Sequence, residues 1–86
     1  MNNINISELI WDEFNSEHIS KHNVAIYEVN EACQNVLQTS EAKLGRISVV
    51  AKTKSGRYLT MILAHKGDDS YYPVSVRDSN KNEKTK

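Results

Sequence analysis

Cysteine occurs once in the 86 residues, at Cys33, so no internal disulfide can staple the chain. No Cys/His spacing matches a zinc site, and neither a metal nor an organic cofactor is expected. A lone thiol suits a reducing compartment, which makes the cytosol the default location. Long apolar runs are also missing, and nothing approaches the ~20 residues that cross a bilayer as a helix, so no membrane role is expected. The first residues, Met1-Asn2-Asn3-Ile4-Asn5, lack the basic start and apolar core of a signal peptide. Internal repeats, domain boundaries and low-complexity stretches are absent before the polar end. The chain therefore reads as a single domain over residues 1–86. That length lies near the lower end of what one unstapled core supports, so a partner that covers apolar surface would stabilise it.

Acids and bases balance at 11 each, but they are not evenly spread. Residues 1–43 carry seven acids against Lys21 and Lys43, a net charge of −5. Residues 44–86 carry nine bases against Asp68, Asp69, Asp78 and Glu83, a net charge of +5. If the halves fold as layers, one side is acidic and helical and the other is a basic sheet. A basic sheet attracts polyanions by neutralising phosphates and releasing counterions. Solvated lysines that discourage edge pairing would look the same in sequence.

Gly45–Arg77 carries the strongest structural signal. Ile47, Val49 and Ala51 alternate with Ser48, Val50 and Lys52, and Leu59, Met61 and Leu63 alternate with Thr60, Ile62 and Ala64. This predicts antiparallel strands over Arg46–Thr53, Tyr58–His65 and Tyr71–Arg77, with Ser55-Gly56 in a tight turn. Pro73 cannot donate to a ladder, which places it at an edge or in an irregular stretch. Alternation puts Tyr72, Val74 and Val76 on one face of the last strand and Tyr71, Ser75 and Arg77 on the other.

Helices are predicted upstream. Asp12 is a good N-cap for a helix over about Glu13–Lys21, with Phe14, His18 and Ile19 on its apolar stripe. Asn23 suits a left-handed cap. Val29, Ala32, Cys33, Val36 and Leu37 have helical spacing, which predicts a second helix over about Ile26–Leu37 with Cys33 as a small buried hydrophobe. Gln38–Lys43 reads as a polar, mobile connection. Residues 79–86 read as a polar C-terminal helix or tail, capped by Asp78 or Ser79, that frays because it has almost no apolar face. The expected fold is α+β: two N-terminal helices on a three- to four-stranded antiparallel sheet, with a short C-terminal helix.

No P-loop, dinucleotide fingerprint or nucleophile elbow occurs. The remaining chemistry-bearing set is Lys21, His22, Lys52, His65, Tyr58, Tyr71, Tyr72 and the arginines Arg46, Arg57 and Arg77. Such a set suits metal-independent RNA cleavage, which needs a base for the ribose 2′-OH, cations for the phosphorane and an acid for the leaving oxygen. Tyrosines beside a basic sheet could also stack unpaired bases. The same residues equally suit packing and solvation, and His22 could simply answer the carbonyls at a helix end.

Trp11-Asp12, Lys21-His22-Asn23-Val24 and Glu28-Val29-Asn30-Glu31-Ala32 together resemble the opening of the BrnT family of ribonuclease toxins. Gly45-Arg46, Ser55-Gly56-Arg57, Val74-Ser75-Val76-Arg77 and Glu83 resemble its second half. The resemblance implies a RelE-like fold, endoribonuclease activity and neutralisation by a cognate antitoxin in a type II toxin–antitoxin pair. On that reading Arg46 and Arg77 are the candidates for the phosphate, and His22 or His65 for the acid or base, although His65 stands where the family more often has a small polar residue. Lys21, Lys52, Arg57, Tyr58 and Tyr71 would then contact RNA. The implied partners are RNA and a small DNA-binding antitoxin, and a homodimer is compatible with the sequence. The alternative is a non-catalytic RNA-binding or protein-interaction module of the same fold.

Overall fold

The computed structural model describes residues 4–84. The reading of Met1–Asn3 as part of a chain start without signal character falls outside that range, as does the fraying expected at Thr85–Lys86. Five strands form one sheet: β1 (Glu8–Leu9), β2 (Val36–Glu41), β3 (Ile47–Lys52), β4 (Tyr58–Gly67) and β5 (Ser70–Asp78). Helices α1 (Glu13–Ser20) and α2 (Ile26–Ala32) separate β1 from β2, and α3 (Lys81–Lys84) follows β5. The strand order is β1-β5-β4-β3-β2. All pairings are antiparallel except β1 with β5, which is parallel. The α+β class is as expected, but the sheet is five-stranded and mixed rather than three- to four-stranded and antiparallel.

The two extra strands come from stretches with weak signals. β1 is only two residues long and pairs Glu8 with Ser70 and Leu9 with Tyr71. β2 occupies ground assigned to the end of a helix and a mobile connection. Val36 and Leu37 fit a helical stripe by spacing, but the helix stops at Ala32. The amides of Gln34 and Asn35 turn back to Glu31 and Ala32. Lys52 then donates its amide to Asn35, and Val36–Glu41 pairs along β3 with one register shift. A strand there supplies β3 with ladder bonds that a longer helix would leave unmade.

Both N-terminal helices pack on one face of the sheet. Ile19, Val24, Val29 and Ala32 form a single buried cluster with Val49, Ala51, Leu59, Met61, Leu63 and Val76. Asp12 caps α1 as expected, accepting the Asn15 amide at 3.0 Å, while Asn15 Oδ1 accepts the Asp12 amide at 2.8 Å. Phe14 was expected on the buried stripe but is 83% exposed. Its place on the inner side of α1 is taken by Asn15 and Ile19, both buried. Ala25 gives α2 no side-chain cap. Instead the Glu28 carboxylate reaches back to the Ala25 amide at 3.0 Å. Cys33 is half-buried on the core, and burial pushes its thiol up to about 12.

Asn23 is left-handed at φ 58°, and Gly56 in the β3–β4 turn has φ 96°. Pro73 lies two residues beyond the last partner of β1, on a stretch of β5 paired only with β4. A register shift between Ile62 and Leu63 leaves Val74 as an extra residue. That bulge reverses the alternation of β5. Tyr71 and Pro73 therefore share the core side with Val76, whereas Tyr72, Ser75 and Arg77 lie across from Ala64, Ile62 and Thr60 on the opposite face. The expected grouping of Tyr71 with Arg77 is corrected accordingly.

Candidate nucleic-acid interface

The face of the sheet away from α1 and α2 carries Ser48, Val50 and Lys52 on β3, Tyr58, Thr60 and Ile62 on β4, and Ser75 and Arg77 on β5. Lys52 is directly across from Tyr58, with its ammonium 5.1 Å from the ring centroid. Val50, Thr60 and Arg77 form the next row across the three strands. One end of this face is thus cationic and aromatic.

Arg77 does not stand free. Its Nη1 and Nη2 donate to the two Glu83 oxygens, each at 2.9 Å, and Nη1 also donates to the Asp78 carbonyl. Glu83 further accepts from Thr60 Oγ1 and the Asn80 amide, both at 2.8 Å. Asn80 Oδ1 answers by accepting the Glu83 amide. This closes a capping box at α3 on Asn80, one residue after Ser79 and two after Asp78, the expected caps. Ser79 is buried instead, with its hydroxyl 2.8 Å from that of Thr60. The Arg77 guanidinium, chiefly, holds the Glu83 carboxyl down at about 2; burial opposes this, and the Asn80 amide and Thr60 hydroxyl assist. In return Glu83 raises Arg77.

The depressed Glu83 value gives a signed pH dependence. Its stabilisation is fully present above the unfolded value of 4.5 and is lost as pH falls towards 2. The melting temperatures of the wild type and Glu83→Gln should differ by a constant amount above about pH 5.5 and converge below 4.5. Thermal melts across that range check this, and a gap as large at pH 2.5 as at pH 6 would show that charge is not what holds Glu83.

Arg57 is equally engaged, and all five of its N–H donors have acceptors. Nε and Nη2 donate to the two Asp78 oxygens at 2.7 and 3.2 Å. Nη1 donates to the Asn23 carbonyl and to Glu28 Oε1, each at 2.9 Å, and Nη2 to the His22 carbonyl at 3.4 Å. Asp78 first, then Glu28, raise its already high pKa against burial. The guanidinium ties the β3–β4 turn to the α1–α2 loop, the first turn of α2 and the end of β5.

The four residues expected to share catalysis fall at two ends of the sheet. Arg46 precedes β3, four residues before Val50, whereas Arg77 is two strands across from Val50. Strand rise and spacing put their Cα atoms roughly 16 Å apart. His22 is exposed in the α1–α2 loop, its ring 5.6 Å from that of His18 and its carbonyl on Arg57. His65 is near the far end of β4, roughly 26 Å along the strand from Arg57. Its Nε2 meets the Asp68 carbonyl, and its ring lies 5.0 Å from Tyr71, which packs on the core. Lys21 is exposed at the end of α1. The open face thus brings together Lys52, Tyr58 and Arg77, with Arg57 and His22 at the adjoining edge; it does not bring in Arg46, His65 or Tyr71.

Sequence reasoning missed Thr60 and Ser79 as members of this cluster. The Asn80-x-x-Glu83 capping pattern was readable and would have placed the acid next to β5. A concavity of about 420 Å³ elsewhere, lined by Asp12, Glu13, Phe14 and Glu17, has the wrong charge for a phosphate. Among the described residues no helix is long and apolar enough to cross a membrane. In comparisons with known proteins, no family model, no curated protein and no solved structure matches this chain.

Proposed function

We propose that this chain acts on RNA through the open face of its sheet, as the toxin of a type II toxin–antitoxin pair with a RelE-like fold. In this reading it works in the cytoplasm and is neutralised by a cognate antitoxin. The observation that carries the proposal is the placement of the Lys52–Tyr58 pair, with Arg77 in the adjoining row, on the face that α1 and α2 leave uncovered. A guanidinium fork and an ammonium contact phosphates, and a tyrosine ring beside them can stack an unpaired base. Two helices leading into an antiparallel run of strands, with a short helix at the end, accord with the sequence resemblance.

A second reading, binding without cleavage, is favoured by the separation of the candidate catalytic groups. Cleavage needs a base and an acid on either side of one phosphate. His22 and His65 belong to opposite ends of the sheet. Glu83, the acid nearest Arg77, is too weakly basic to take a proton from a hydroxyl near neutral pH.

Induced expression in a host without the antitoxin tests both readings. Growth arrest with loss of total RNA, relieved by Arg77→Ala, is expected for the toxin. Arg46→Ala should relieve it as well if the two arginines serve one phosphate during catalysis. RNA bound by purified protein but left intact, with affinity weakened about tenfold in Arg77→Ala, would select the binding module. Normal growth together with no RNA binding would sink both.

A further inference from the structure

The Glu83 carboxylate is received on the sheet as a bound anion would be. A fork of two parallel N–H groups from Arg77 takes both oxygens, and the Thr60 hydroxyl donates to one of them. Because the only Thr60 hydroxyl proton points at Glu83, the Ser79 hydroxyl must donate to Thr60 and so fixes its direction. Ser79 is itself anchored, its amide donating to the Tyr58 carbonyl at 3.0 Å. Thr60, Ser79 and the backbone of Arg77 are thus part of the sheet or its immediate end, and the Arg77 guanidinium keeps a bond to the Asp78 carbonyl that does not involve α3. A guanidinium fork with a hydroxyl donor suits phosphate oxygens as well as it suits a carboxylate.

The helix that delivers the acid is weakly built. It spans four residues, Lys81-Asn82-Glu83-Lys84, and offers the sheet no apolar side chain. One turn of helix does not persist by itself in water. Its ion pair to the sheet is the Glu83–Arg77 contact, where Arg77 is 46% and Glu83 23% exposed.

We propose that Arg77 and the Thr60–Ser79 hydroxyl pair form a phosphate-binding cradle, and that Glu83 occupies it as an internal anion which α3 withdraws when a phosphate arrives. The ligand is a phosphate group. That it belongs to RNA rests on the function proposed above. Lys52 and Tyr58 flank the cradle on the same face, two residues along β3 and β4 from Val50 and Thr60. Occupancy by Glu83 keeps the cradle neutral until a competing dianion, or several phosphates on one strand, displaces it. Binding therefore starts from an occupied site, and removing the acid raises affinity.

The test titrates inorganic phosphate into the full-length chain by calorimetry, comparing wild type, Glu83→Gln, Glu83→Ala and Arg77→Ala/Glu83→Ala. Both single variants should bind phosphate at least tenfold more tightly than wild type, and the double variant should lose that gain. Glu83→Gln keeps the size of the side chain, so it reports on charge even if Glu83→Ala loosens the C-terminal end. Equal affinity in wild type and both single variants overturns the proposal, as does a gain that survives loss of Arg77. A parallel titration with a short single-stranded RNA separates the two readings. A tenfold gain for phosphate without any RNA binding leaves the cradle standing and removes RNA as its ligand. RNA binding by wild type with no gain for phosphate in the Glu83 variants removes the cradle and leaves the proposed function intact.

Discussion

Replacing Arg57 by alanine is expected to destabilise the fold by about 2–3 kcal/mol, more than any other single surface change in this chain. The side chain is 24% exposed, and its two acidic partners differ in what their loss costs. Asp78 is 61% exposed and can return to water, so that pair contributes little. Glu28 is 15% exposed and would be left largely enclosed without its counter-charge, which is the expensive part. Glu28 also holds the Ala25 amide at the start of α2, where no side-chain cap exists. The melting temperature should drop by roughly 10–20 °C, given the size of the domain. Arg57→Lys restores one positive charge but cannot serve four segments with a planar fork, and should recover less than half of the loss. Circular dichroism melts of the three proteins decide the matter. An alanine variant within 3 °C of wild type would show that the five hydrogen bonds are no better than those to water.

The second large effect is expected at Asn15, a buried polar residue on the inner side of α1. Only 2% of it is exposed. Its Nδ2 donates to the Ile10 carbonyl at 2.9 Å while its Oδ1 accepts the Asp12 amide at 2.8 Å. Alanine would strand both backbone groups beside Trp11, whose buried indole nitrogen has no partner among the described residues. Losing two such part-buried bonds costs about 1–3 kcal/mol. Asn15→Leu should do no better, since a larger apolar side chain still satisfies neither group. Denaturant titration measures the change, and an unchanged midpoint for both variants would mean that water reaches the site.

Local signals carried much of this fold. Ile47–Lys52 and Tyr58–Gly67 alternate cleanly, and the Ser55-Gly56 turn sets their register, so the meeting of Lys52 with Tyr58 follows from the sequence. Asp12 and Asn23 announced the two ends of α1 through backbone chemistry that depends on few neighbours. What escaped was decided at long range. Val36 and Leu37 satisfy helical and extended patterns alike, and only pairing with β3 selects the strand. The bulge at Val74 moves Tyr71 into the core and Tyr72 out of it, and nothing in Tyr71–Val76 marks that extra residue except Pro73. Arg57 follows the Ser55-Gly56 turn and reads in sequence as an RNA contact, yet its partners are 21 to 35 residues away in sequence. Basic residues can be counted from sequence, but which are engaged and which are free depends on the packing of distant segments.

The pairing of β1 with β5 carries a consequence for how the chain is made. Glu8 and Ser70 are neighbours in the sheet although 62 residues separate them. β1 therefore waits for β5 before the sheet can close. Contacts of this span make a domain fold slowly for its size. They also mean that a nascent chain interrupted before Ser70 lacks both β1's partner and Arg77, so the open face is incomplete. Closure of the sheet and completion of its open face become one event.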